Sequence, residues 1–348
     1  MTTLSSPPAE VPQEALACLL AQAGMREDAR VEAIPGGMNN RVFRVTSGQG
    51  EALLKAYFHH PEDPRDRLAT EYGFCAFAWS HGVRALPQPL AADPVHHLAV
   101  YEFVHGRRLN PGEVTADHVA QALAFYRDLN RCREDAHDLP AASEACFSLA
   151  DHLATVQRRV DRLAGISAAD PVGAEAADFL RDDLLPAWKE VASEVQTQAA
   201  TRGLALAEPL SDADRCLSPS DFGFHNALQE SGGRLRFLDF EYAGWDDPTK
   251  LVCDFFHQPA VPVPAEHCES FAQQIAESLG DPAYHRARFS LLMPVYRLKW
   301  CCILLNDFLL AGGARRHFAR VSAEDPQTLA QRKARQLAKA REMLPRSL

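Results

Sequence analysis

The chain changes its grammar once, and the change dictates its architecture. Short β-like runs separated by glycine turns fill the stretch from Val31 to Val104; after His105-Gly106 the pattern is almost wholly helical. The runs fall at 31–34, 41–45, 52–57, 87–91 and 98–104, and Gly36-Gly37 and Gly48-Gln49-Gly50 punctuate the first three like hairpin turns. A helix over 65–81 interrupts them. Further on, Thr115 can cap a helix in which Val119, Leu123 and Tyr126 recur at helical spacing. More helices are expected at 147–165, 172–199, 265–279, 284–311 and 326–343. A sheet followed by helices predicts an α+β fold in two lobes. Residues 1–24 form a leader and short helix, 25–105 a small antiparallel-sheet lobe with one key helix, and 106–348 a large helical lobe.

Composition narrows the setting. A chain of 348 residues, 47% hydrophobic and 24% charged, has the length of about two domains and can bury a large core. Nine cysteines, scattered and without a C-x-x-C spacing, point to reduced thiols and a cytoplasmic setting rather than a disulfide framework. Met1 to Glu10 offers neither a basic start nor an apolar run, so no secretory signal is expected; no run of about 18 apolar residues suggests a membrane span. The net charge of −10 hides an asymmetry: 315–348 holds nine Arg/Lys against three Asp/Glu. The acidic remainder argues against a nucleic-acid partner, and the basic end reads as a solvated helix face.

Two segments inside the helical half break its pattern. One is Ser218-Pro219-Ser220-Asp221-Phe222-Gly223-Phe224-His225-Asn226; the other is Leu238-Asp239-Phe240-Glu241, flanked by β-like pieces at 227–229 and 235–240. Asp221 and Asn226 on one short loop can face one cleft: a carboxylate to orient a hydroxyl and take its proton, and an amide oxygen for a hard cation. Asp239 sits among Phe237, Leu238 and Phe240, where a buried strand would make an unpaired carboxylate costly and a bound cation its natural partner. Glu241 either assists or points into the same polar cleft. In the small lobe, the glycines of Pro35-Gly36-Gly37-Met38-Asn39-Asn40 can bring backbone N–H groups to phosphates. Lys55, the one charge in an apolar run, would meet an anion. Glu71 stands three residues after Leu68 and four before Cys75, on the helix stripe that faces the sheet, and so can hold Lys55; Glu62 lies ahead of Pro64 and outside that helix. Glu102 and Val104 end the last small-lobe strand, where a hinge would offer backbone groups to adenine.

Taken in order, these motifs resemble the aminoglycoside phosphotransferase and choline/ethanolamine kinase superfamily, with its protein-kinase-like fold. Gly36-Gly37-Met38-Asn39-Asn40 is similar to the phosphate loop of choline kinases, and Leu238-Asp239-Phe240-Glu241-Tyr242 to their metal segment. The resemblance runs from about Val31 to Phe256 and implies an ATP-dependent small-molecule kinase. Asp221 would be the base, Asn226 and Asp239 the Mg²⁺ ligands, Gly36, Gly37 and Asn40 the phosphate loop, and Lys55, held by Glu71, the phosphate-binding cation. Two supports of the catalytic loop depart from the pattern. Pro219 stands where a His is usual, and Leu251 stands three residues after Asp247-Pro248 where an Asp is usual, with Asp254 one helical turn on as a candidate replacement. A nucleotide-binding pseudokinase with a regulatory or scaffold role is the alternative; a protein kinase is disfavoured by the absence of an activation segment between Asp239 and Asp247. The acceptor stays open among sugars, amino alcohols and aminoglycosides. Tyr242, Trp245, Tyr296 and Trp300 could cage choline, Glu241, Asp246 and Asp247 could meet a polycation, and Arg297 and Lys299 could meet an anionic acceptor.

Overall fold

A computed structural model describes residues 11–26, 28–35, 40–60, 63, 65–309 and 326–344. The predicted phosphate-loop residues Gly36 and Gly37, together with Met38, Asn39, Glu62 and Pro64, lie outside the described residues, as do 310–325 of the basic end.

Five strands form one antiparallel sheet: β1 (Arg30–Ile34), β2 (Arg41–Ser47), β3 (Gly50–Ala56), β4 (Pro89–Asp93) and β5 (Leu98–Glu102), in the order β1-β2-β3-β5-β4. Strand alternation sorts the side chains of β3 onto two faces. Ala52, Leu54 and Ala56 pack with Leu16, Leu19 and Leu20 of α1 (Gln13–Gln22), which makes that helix part of the small-lobe core. Leu53 and Lys55 take the opposite face, toward α2 (Arg67–Ser80). The Asp66 side chain caps α2 by accepting from Ala69 N–H at 2.9 Å, which sets its start two residues later than the spacing predicts. Leu68, Cys75 and Ala78 are buried on one stripe of α2, and Glu71 lies in that stripe.

Past the hinge, a two-residue strand β6 (Arg107–Arg108) precedes α3 (Ala116–Arg131), α4 (Leu149–Arg162), α5 (Pro171–Phe179) and α6 (Leu185–Thr201). The predicted 172–199 helix is therefore two helices joined by a widened turn at Leu180–Leu184. Pro186 explains it: proline has no N–H and its ring crowds the carbonyl four residues back, so the preceding turn opens. Short strands β7 (Cys216–Ser218), β8 (Ala227–Gln229), β9 (Leu235–Phe237) and β10 (Gly244–Asp246) follow, then α7 (Pro248–His257), α8 (Cys268–Ala276), α9 (Pro282–Leu304) and α10 (Pro326–Met343). β7 pairs with β10, and β6-β8-β9 form a second small sheet. Strands of two or three residues show no periodicity, which is why β6, β7 and β10 are invisible in the sequence. Among the described residues no helix is long and apolar enough to cross a membrane.

Asp247 is the knot of the large lobe. Its side chain caps α7 through Thr249 N–H at 2.7 Å, accepts from Arg288 of α9, and meets His152 Nε2 of α4 at 3.0 Å. His152 Nδ1 reaches Tyr296 Oη at 2.6 Å. Burial disfavours charge on His152, but the Cys146 sulfur and the Asp247 carboxylate outweigh it and raise the ring to about 9. A folded value above the ordinary one means that the charged ring stabilises the fold fully below about pH 6.5, and that this contribution fades as pH rises through 9. His152→Gln should therefore lower the unfolding free energy more at neutral pH than near pH 10. Urea unfolding of both proteins at the two pH values checks this, and a gap that is constant or widens with pH would show that His152 is buried neutral.

Candidate active site

Strand alternation and the α2 stripe bring Lys55 and Glu71 together across the sheet–helix interface. Lys55 Nζ donates to Glu71 Oε2 at 2.6 Å and to Asp239 Oδ1 at 2.5 Å. Burial alone would discharge Lys55, but Asp239, Glu71 and Glu241 together hold its ammonium well above the ordinary lysine value. Glu71 has two further donors: Tyr57 Oη at 2.8 Å on Oε2, and Phe240 N–H at 3.3 Å on Oε1. One carboxylate of the small lobe thus grips both the lysine and the backbone of the Asp239 segment. The hydroxyl of Tyr57 also meets that of Tyr101 at 2.8 Å.

Asp239 is not buried in a strand, as its apolar neighbours suggest. Strand β9 ends at Phe237; the Leu238 N–H bond to Asn226 O at 2.8 Å is one more rung in the β8–β9 register, and the chain turns away at the next residue. Asp239 then takes φ 67°, a left-handed conformation uncommon outside glycine, and its side chain is 41% exposed. The turn carries the carboxylate out of the apolar run and into the cleft, so the strand reading of 235–240 fails after three residues. Glu241 goes the other way: it is buried, accepts from Asn40 Nδ2 at 2.6 Å and lies 3.6 Å from Arg67 Nε. It does not point into the cleft. Asn40, predicted as part of the phosphate loop, is itself buried, and its Oδ1 accepts from Phe58 N–H at 3.2 Å.

Asp221 sits on the loop between β7 and β8. Ser220 before it has φ 65°, and its N–H donates to Ser218 Oγ at 3.0 Å, a tight turn that throws the Asp221 side chain forward. Asn226 Nδ2 donates to Asp221 O at 3.0 Å and to Oδ2 at 3.1 Å. His225 Nε2 lies 3.1 Å from Asp221 Oδ1. Burial pushes the Asp221 carboxyl up, but His225, Asn226 and the more distant Lys299 outweigh it, so its value falls below the ordinary one. With its amide nitrogen engaged on Asp221, Asn226 keeps its amide oxygen for another partner, and Asp239 keeps Oδ2. Carboxylate and amide oxygens are the donors that Mg²⁺ prefers, so the residues present fit that ion.

Other expectations resolve differently. Asp254 does not replace the missing loop support: Lys299 Nζ contacts both its oxygens at 2.9 and 2.6 Å, and Trp300 Nε1 donates to Oδ1 at 3.0 Å. Leu251 is buried in the core. Asp246 and Asp247 are fully buried in ion pairs with Lys250 and Arg288, and so offer no acidic surface to a polycation. Tyr296 is buried with its hydroxyl on His152, and Trp300 is bonded to Asp254, so the four aromatics do not converge on a cage. At the hinge, the Glu102 carboxylate accepts from Arg236 Nη2 at 2.5 Å and from Gln88 N–H at 3.1 Å, which leaves only backbone groups there to face a nucleotide; Val104 is half-buried just beyond. His225 and Tyr57 are the site residues that spacing rules overlooked. His225 lies four residues after Asp221, a separation that brings side chains together over one turn.

A small antiparallel sheet whose lysine is clamped by a helix carboxylate, hinged to a helical lobe that turns two acids into the intervening cleft, is the plan of a two-lobed kinase-like enzyme. The sequence profile of the phosphotransferase enzyme family matches residues 30–289, and the chain belongs to that family. Spectinomycin phosphotransferase, solved with ADP and spectinomycin, is 13% identical with a TM-score of 0.61, over 94% of this chain and 100% of that one. Choline kinase from Cryptosporidium parvum Iowa II is 12% identical with a TM-score of 0.57, over 95% of each chain. Macrolide 2'-phosphotransferase from Brachybacterium faecium is 19% identical with a TM-score of 0.52, over 90% of this chain and 100% of that one. At such identities the likeness is one of fold. No curated protein matches the chain significantly by sequence.

Removing Glu71 tests the clamp. Lys55 and Glu71 are 8% and 6% exposed in their side chains, and breaking a pair at that depth costs about 3–5 kcal/mol. Glu71→Leu should lower the urea-unfolding free energy by about 3 kcal/mol, since Asp239 still holds the ammonium. An unchanged unfolding curve would mean that Glu71 contributes nothing to holding the lysine.

Proposed function

We propose that the protein transfers the γ-phosphoryl group of ATP to a hydroxyl of a small metabolite such as a sugar, an amino alcohol or an aminoglycoside-like acceptor. The observation that carries this reading is the Leu238 N–H to Asn226 O hydrogen bond at 2.8 Å. It ties the segment bearing Asp239 to the loop bearing Asp221 and Asn226, while Lys55 reaches the same Asp239 from the small lobe. Base, cation ligands and phosphate cation therefore share one cleft, which is the arrangement that in-line phosphoryl transfer needs.

Each residue then has a task. Asp221 orients the acceptor hydroxyl and takes its proton as the new O–P bond forms and the β–γ bridging O–P bond breaks, releasing ADP. Lys55 meets the nucleotide phosphates, kept charged and aimed by Glu71. Asn226 and Asp239 would hold Mg²⁺, which supplies charge neutralisation for the transferring phosphoryl group. Gly36 and Gly37, with Asn40 anchoring the loop's end, would lay backbone N–H groups over the phosphates, and the backbone of Glu102 and Val104 would face the adenine. Residues 25–105 would thus form the nucleotide-binding lobe and 106–348 the catalytic and acceptor-binding lobe. The cytoplasm, where ATP and Mg²⁺ are supplied, is the setting that suits this activity.

Asp246, Asp247 and Asp254 are all neutralised by lysine or arginine and so give no support to a polycationic acceptor, and Lys299, paired with Asp254, gives none to an anionic one. The pseudokinase alternative rests on Pro219 and Leu251. The retention of Asp221, Asn226, Asp239 and Lys55 in one cleft supports catalysis over it.

Mg-ATP consumption against a panel of choline, ethanolamine, aminoglycosides, sugars, sugar phosphates and nucleosides tests the reading. Acceptor-dependent turnover should appear, and Asp221→Asn should reduce kcat by about 10²–10⁴-fold with nucleotide affinity nearly unchanged. Asp239→Ala should instead weaken Mg-nucleotide binding by an order of magnitude or more, read by calorimetry with Mg-ADP. Near-normal turnover in Asp221→Asn would sink the assignment of the base.

A further inference from the structure

Among the described residues, no side chain from outside its own loop hydrogen-bonds the Asp221 carboxylate. Pro219 has no donor to offer, Leu251 is apolar, and both Asp254 oxygens are taken by Lys299 and Trp300. Among the described residues, only two side chains hydrogen-bond the Asp221 carboxylate, Asn226 on Oδ2 and His225 on Oδ1. Asn226 is the residue whose amide oxygen faces the proposed cation, so its grip on Asp221 is shared with that duty. His225 has no second duty. We infer that His225 is the positioning residue that fixes the orientation of Asp221, whose carboxylate is braced from within its own loop.

Three features of its surroundings give the imidazole one seat. First, Gly223 is built to receive it: a Cβ there would stand 2.7 Å from His225 Nδ1 and 2.9 Å from Cε1. Gly223 is extended, with φ 170°, so glycine is required at this position by the ring and not by the backbone conformation. Second, the same Cβ would meet Gln258 Cγ at 3.1 Å, which places Gln258 beside this seat. Gln258 is itself fixed, donating to Val261 O and accepting from Ala260 N–H at 3.0 Å. Third, the residue is held from behind, since Arg108 Nη1 of β6 donates to His225 O at 3.4 Å.

The ring's hydrogen bonding sets its tautomer. Nδ1 is buried and has no partner, while Nε2 faces a carboxylate that can only accept. A neutral ring with its proton on Nε2 donates to Asp221 and leaves only a lone pair at the unpartnered nitrogen. The opposite tautomer would set two acceptors against each other at 3.1 Å and bury an unpaired N–H, which is costly. The donor therefore points at Oδ1 from a ring packed against Gly223, and Asp221 is held through one oxygen while Oδ2 meets Asn226.

The inference rests on the reading of Asp221 as the base, and the test separates the two. Imidazole ¹⁵N spectra of the whole protein, with the His225 signal assigned by its loss in His225→Gln, should show the Nε2–H tautomer; an Nδ1–H tautomer would overturn the inference without any assay. Kinetics use Mg-ATP with the acceptor the panel identifies, or phosphate release to water. His225→Leu should lower kcat by about 10–100-fold, the effect of a misplaced reacting group, while KM for Mg-ATP stays within about twofold. His225→Gln, which retains a donor at the reach of Nε2, should recover most of that loss. Gly223→Ala, which displaces the ring without touching its chemistry, should mimic His225→Leu. Parent-like kcat in His225→Leu beside a dead Asp221→Asn would refute the role of His225 and leave Asp221 as the base. Parent-like kcat in both would remove the base itself.

Discussion

A single buried ammonium organises the cleft. Lys55 could not remain charged at its depth without Glu71 and Asp239, and those two carboxylates belong to different parts of the chain, one to α2 and the other to the segment after β9. The ion cluster therefore does more than stabilise. It fixes α2 against the sheet and, through the Phe240 N–H bond to Glu71, fixes the Asp239 segment against α2. Buried polar clusters gain specificity when every member is satisfied, and here the lysine, both acids, Tyr57 and a backbone amide complete one another. The lobes meet at this cluster and again at Arg236, which bonds Glu102 at the hinge and Leu86 O.

The large lobe solves a different problem, that of holding the loop that bears Asp221. Asp247 still caps α7 and binds α4 and α9 through His152 and Arg288, so the segment after Asp239 is firmly anchored. Its neighbour Asp254 has been drawn into a pair with Lys299 and no longer concerns the loop. What remains near Asp221 is local: a left-handed Ser220, a glycine that makes room, and two donors within the next five residues. A loop of that kind depends little on the packing of distant helices, because its geometry is set by bonds within a few residues.

Much of this was legible before any coordinates. The switch of pattern at His105-Gly106 is a change of period from two to 3.6, and the hydrophobic effect enforces that period wherever one face is buried. The Lys55–Glu71 pair was legible too, since Lys55 is the one charge in an apolar run and the Leu68-Glu71-Cys75 stripe turns the acid toward the sheet. Asp239 shows where the arithmetic stops. Its apolar neighbours read as a strand, but the backbone turns at Asp239 itself, which takes φ 67°, and no local signal in an apolar run reports a left-handed residue. Glu241 and Asn40 likewise turned inward toward each other across 201 residues of chain.

The sequence by itself determined the two-lobed α+β plan, the identity of the acids and amide that line the cleft, and the ion pair that crosses it, because each follows from periodicity or from the chemistry of a residue in its immediate context. Only the tertiary structure decided which acids remain available. Read along the chain, Asp246 and Asp247 could meet a polycation and Asp254 could support the loop, yet all three are neutralised in the interior while Asp221 and Asp239 reach the cleft. A carboxylate's role depends on which cation the fold places beside it, and that cation comes from elsewhere: Arg288 for Asp247, Lys299 for Asp254, Lys55 for Asp239.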